Sequence, residues 1–170
     1  DVDVTVGRAR IRGRVDRLAL LGPAGHSGTR RPRMALRDWR PASQAGDAHA
    51  LRQAMRHNLM AHMLHAPTGV DDEALQIHTE ACERTRFRSK PFSRAAGLQA
   101  LLPTAAPHLL LVWGEHDVTA DPAQLAGSLA AVHPRARTAI VPGAGHWVQY
   151  EAANAINLLL SRWLAASVHD

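Results

Sequence analysis

At 170 residues the chain is long enough to bury roughly 70% of its unfolded surface in one domain, and too short for two comfortable ones. Hydrophobic residues at 46% and charged residues at 21% argue against a disordered tail. A single cysteine, Cys82, excludes an intrachain disulfide and any paired-thiol zinc or redox site, which fits a reducing compartment. The net charge of +5 is carried almost wholly by arginine, Lys90 being the only lysine, and raises the question of an anionic partner.

In chain order, Asp1 to Arg14 is charged throughout and lacks the apolar core of a signal peptide. No stretch reaches the roughly 18 apolar residues of a membrane span, so a soluble, cytoplasmic protein with no membrane partner is expected. Within this segment Arg8, Arg10, Arg12 and Arg14 alternate with Ala9, Ile11 and Gly13, a period that suits an exposed strand or a tail. Val15 to Leu21 is a short apolar run closed by Gly22-Pro23-Ala24-Gly25, which predicts a buried parallel strand. Thr29 to Ala45 is rich in Arg and Pro and has no sustained period.

Asp47 to His65 sets Leu51, Met55, Leu59 and Met63 four apart, predicting an amphipathic helix with Asp47 as its N-cap. After the Pro67-Thr68-Gly69 break, Asp71 and Asp72 open a second helix carrying Leu75 and Ile77, and Pro91 and Pro103 punctuate the chain beyond it. The middle of the chain is therefore a small helical unit. Leu109 to Trp113 and Thr138 to Val141 read as strands bounded by Pro107, Gly114 and Pro142-Gly143. Asp121 to Val132 places Leu125, Leu129 and Val132 at helical spacing, and a last helix is expected over Glu151 to Ala166. Strand, helix, strand, helix implies an α/β fold with a mostly parallel sheet.

Asp117 comes after one of these strands, in Trp113-Gly114-Glu115-His116-Asp117, and His146 after the next, in Pro142-Gly143-Ala144-Gly145-His146-Trp147. The carboxyl ends of parallel strands are where catalytic side chains converge above a sheet. The bland alternative makes Asp117 a turn acid and His146 one of eleven histidines.

These two motifs, with Val141 to Glu151 running Val-Pro-Gly-Ala-Gly-His-Trp-x-Gln-x-Glu, resemble the closing part of the α/β-hydrolases. The His146-Trp147-x-Gln149-x-Glu151 variant is most similar to the branch that hydrolyses meta-cleavage products of aromatic degradation. The resemblance runs from residue 15 to residue 166. Residues 15–30 and 101–170 look like the hydrolase core, residues 31–100 like a helical lid, and residues 1–14 match poorly. It implies a serine-type hydrolase cleaving an ester or a carbon–carbon bond of a small, aromatic-derived molecule, with no cofactor and no metal. Asp117 would orient the imidazole and His146 would act as base. Trp147 would line the substrate pocket beside His146, or serve as a core tryptophan.

The serine elbow Gly-x-Ser-x-Gly is not found. The nearest candidate nucleophile is Ser27 in Gly25-His26-Ser27-Gly28-Thr29, where one glycine falls a place early and Arg30-Arg31-Pro32-Arg33 is a poor start for a helix. Ser27 therefore reads as a loop residue, and the chain as the C-terminal portion of a hydrolase, incomplete by itself. An exposed sheet edge and self-association would result.

Three rivals stand beside this reading. An inactive remnant or binding module would keep the scaffold without the chemistry. A nucleic-acid binder would use the arginines of 8–17 and 30–40, although only Trp39 interleaves them as an aromatic. A metal site would use His62 and His65 on one helix face with His57 and His78, without a His-Glu-x-x-His motif.

Overall fold

The first apolar run forms strand β1, Arg17–Leu21. The structure, a computed structural model, describes residues 15–95, 97–104, 108–133 and 135–166, so the reading of residues 1–14 lies outside the described residues. Chain order then gives helices α1 (Arg40–Ala45), α2 (Ala48–His62), α3 (Asp72–Arg84), α4 (Lys90–Ser93) and α5 (Leu98–Leu101). Strand β2 (His108–Gly114), helix α6 (Pro122–Ala130), strand β3 (Ala136–Val141) and helices α7 (Val148–Glu151) and α8 (Ala153–Ala165) complete it.

The sheet order is β1-β2-β3 and both pairings are parallel, with Leu20 opposite Leu111 and Leu111 opposite Thr138. β2 lies at the centre, which explains why its apolar run has no polar alternation: both faces are covered. Leu109, Leu111 and Trp113 face α6 through Leu125, Ala126 and Leu129. Leu110 and Val112 face the other way, onto Val148, Ile156 and Trp163. Each such side chain contributes about 1.5–3 kcal/mol by leaving water. Arg17 ties β1 to the end of α8, donating to the carbonyls of Trp163 and Ala166 with its guanidinium over the Trp163 ring.

The helical unit around α2 and α3 has a core of its own, built from Met55, Leu59, Leu64, Val70, Ala74 and Leu75. α2 and α3 begin where their carboxylate caps stand, Asp47 accepting from Ala50 N–H at 2.9 Å and Asp71 from Ala74 N–H at 2.8 Å. Asn58, buried in α2, pins the strap before α1 by bonding both the N–H and the carbonyl of Arg37.

Four details depart from the sequence reading. α1 forms within the stretch that showed no period, opened by Pro41 in its first turn and closed by Gly46 in the left-handed region. Ile77 is 44% exposed, because the buried stripe of α3 runs through Ala74, Leu75 and His78. Val132 lies past the end of α6 and is 38% exposed. The last helix is two, broken at Ala152, whose backbone (φ −124°, ψ 40°) is not helical. Among the described residues no helix is long and apolar enough to cross a membrane.

Candidate active site

Asp117 and His146 meet above the carboxyl end of β2. His146 Nδ1–H donates to Asp117 Oδ2 at 2.9 Å. Asp117 is fully buried, while the His146 side chain is 23% exposed. The other carboxylate oxygen, Oδ1, accepts from both the backbone N–H and the hydroxyl of Thr119, each at 2.7 Å. Thr119 Oγ1 also stands 3.2 Å from His146 Nδ1. Burial alone would raise the Asp117 carboxyl, but the bonds from His146 and Thr119 outweigh it and hold the group below the usual carboxylate range. The aspartate therefore stays ionised and fixes the proton on Nδ1. His146 Nε2 takes no hydrogen bond among the described residues and is left as a proton acceptor.

Backbone bonds bring the two loops together. Glu115 N–H donates to the Val141 carbonyl and His116 N–H to the Ala144 carbonyl, each at 2.9 Å. The Glu115 carboxylate accepts from Gly143 N–H at 3.0 Å. The imidazole then reaches back across the sheet to the end of β1. Gly22 (φ +55°) lies beneath it, and a Cβ there would stand only 3.0 Å from His146 Cε1 and Nδ1.

Helix α2 adds His62, whose ring lies nearly parallel to that of His146 with centroids 6.1 Å apart. Burial, with Arg33 and His146 adding repulsion, pushes His62 down to about 4, so it is neutral at physiological pH. Trp147 turns toward the core of α2 and α3, edge-on to His78 at 5.8 Å and beside Tyr150 at 6.1 Å. Ser27 is exposed, and its Oγ accepts from Gln99 Nε2 at 2.7 Å; no hydrogen bond links it to His146 among the described residues.

The rival clusters do not converge. His62 lies by His146, His65 stacks on His116, His57 bonds the Ala35 carbonyl and His78 neighbours Cys82, so these four histidines have four separate partners. Four described arginines of those clusters bond within the chain: Arg17 to α8, Arg30 to the Ser93 carbonyl, Arg31 to the Glu115 carbonyl and Arg40 to Asp38. Sequence reasoning missed Thr119, Gly22 and the placement of His62. An Asp-x-Thr pair at a turn was the one local signal for Thr119, since short polar side chains bond this way within turns.

No protein-family model and no curated protein sequence matches this chain. Solved structures do. A serine hydrolase from the polyaromatic-hydrocarbon-degrading bacterium Cycloclasticus zankles superposes with a TM-score of 0.61 at 16% identity, over 91% of this chain and 57% of that one. The meta-cleavage product hydrolase of Pseudomonas fluorescens gives 0.58 at 22% identity, over 89% of this chain and 56% of the other. The enol-lactonase of Burkholderia xenovorans gives 0.59 at 21% identity, over 90% and 57%. The chain has part of the α/β-hydrolase fold, and it spans little more than half the length of the structures it matches.

Proposed function

We propose that this chain is the acid-and-histidine part of a serine-type α/β-hydrolase acting on a small molecule. The observation that carries the reading is the bond from His146 Nδ1–H to a buried, ionised Asp117 with Nε2 unengaged above β1. In that arrangement Nε2 takes the proton of a nucleophilic hydroxyl, the imidazolium forms against Asp117, and the same proton passes to the leaving group. The imidazole lies over Gly22 at the end of β1, so a serine approaching along the open edge of that strand comes within its reach. That serine and its oxyanion hole belong on this reading to a segment outside the present sequence, and Ser27, held by Gln99, is not the nucleophile.

The similar meta-cleavage product hydrolase and enol-lactonase favour a carbon–carbon bond or an ester as the bond cleaved, and the resemblance of residues 146–151 to the former favours an aromatic-derived substrate. Residues 31–100 act as the lid over this site, and Trp147 joins the lid to the histidine loop instead of lining the reacting centre.

A chimera tests this. The part of the Pseudomonas fluorescens enzyme that this chain does not cover is fused ahead of Arg17 and assayed on a nitrophenyl ester. The expected result is hydrolysis that falls by about a thousandfold or more in His146→Ala. A folded chimera whose activity is indifferent to His146 and Asp117 would contradict the assignment.

A further inference from the structure

Lid residues 63–66, just beyond α2, touch both loops that carry Asp117 and His146. Trp147 N–H donates to the Met63 carbonyl at 2.8 Å. Glu151 Oε1 accepts from the backbone N–H of His65 and of Ala66, each at 2.8 Å, and Oε2 accepts from Gly145 N–H at 2.6 Å. On the opposite side the His65 ring stacks on His116 with centroids 3.6 Å apart. His116 and Gly145 immediately precede Asp117 and His146. The approach is so close that a Cβ on Gly145 would stand 2.8 Å from His65 N and 3.0 Å from Glu151 Oε2.

We propose that Glu151 is a positioning residue for His146: one carboxylate gathers two amides of the lid corner and one of the histidine loop, and so holds the imidazole against Asp117. The proposal rests on reading His146 as the base, but not on where the nucleophile comes from. Three N–H groups directed at two oxygens call for an ionised carboxylate, because bonds to a charged acceptor are the strong ones. A glutamine at this position keeps one oxygen for His65 and Ala66 and turns an N–H against that of Gly145. The same clamp lies next to the end of α2, whose last residue, His62, stacks on His146. The inner corner of the lid is thus a fixed wall of the site, and motion of the lid is confined to parts farther from β3.

NMR of the isotope-labelled chain separates positioning from mere support. In the unsubstituted chain His146 Nδ1–H should give a far-downfield resonance, the signature of its bond to Asp117. In Glu151→Ala and in Glu151→Gln we expect this resonance to broaden or vanish. Amide exchange at Gly145 should quicken roughly tenfold or more in both, while the amides of β2 stay protected. His65 and Ala66 should quicken in Glu151→Ala and much less in Glu151→Gln. Tyr150→Phe is the control, since it removes the 2.6 Å bond from Tyr150 to Asp71 between lid and core without touching the histidine loop. It should leave the His146 signal in place.

Persistence of the His146 resonance with unchanged exchange at Gly145 in both Glu151 variants overturns the clamp. If Glu151→Ala does not fold, Glu151→Gln decides alone. A missing resonance in the unsubstituted chain contradicts the Asp117–His146 pair instead, and the exchange at Gly145, His65 and Ala66 still judges Glu151.

Discussion

β2 and β1 are built from similar residues and end in different states. Leu109 to Trp113 are each 2% exposed or less, whereas every residue of β1 remains partly exposed although Leu18, Ala19, Leu20 and Leu21 are as apolar. The difference is company: among the described residues β2 is paired on both sides and β1 only on one. An apolar strand with one edge unpaired among the described residues is a ready template for a further strand. The His146 imidazole lies against Gly22 at the end of that same strand.

The contrast between the two strands should be largest in stability. Leu111→Ala should cost about 3–4 kcal/mol in urea unfolding, the range for a fully buried leucine, and Leu20→Ala only about 1 kcal/mol. Equal costs would mean that the β1 edge is covered in solution, as by a second copy of the chain, and a midpoint that depends on protein concentration would identify that case.

A smaller effect sharpens the site. Asp117 is held below its ordinary 3.8, so its contribution is present above that value and is lost as pH falls through the lower folded value. Thr119→Val removes one of the bonds that hold it there. The variant should lose about 1 kcal/mol near neutral pH and show a shallower acid limb than the unsubstituted chain, read from denaturant midpoints.

The smallest expected effect lies in α2, at His62. Burial pushes the His62 imidazole from its ordinary 6.5 down to about 4 in the folded chain, so between these values the unfolded chain binds more protons and stability rises with pH. His62→Asn should flatten that slope by up to one proton. An unchanged slope would mean that His62 is not buried beside His146.

Much of this was legible because it is local. The apolar runs of β1, β2 and β3, the caps Asp47 and Asp71, and the acid-then-histidine order are written within a few residues each. The α1 helix was hidden by arginine and proline that sit on its solvent side or in its first turn, and the break at Ala152 has no proline or glycine to announce it. Glu151 stood in plain view within the motif, yet its meaning depends on amides 85 and 86 residues away. Thr119 likewise acquires its role only once Asp117 is buried beside His146.

The central proposal is that Asp117 and His146 are the acid and base of a hydrolase and that Ser27 is not its nucleophile. Labelling the folded chain with a fluorophosphonate serine probe, with Ser27→Ala and His146→Ala beside it and the labelled residue mapped by mass spectrometry, tests it most directly. No labelling at Ser27 is expected. Labelling there that disappears in both variants would contradict the claim and make the chain a compact hydrolase with its own nucleophile.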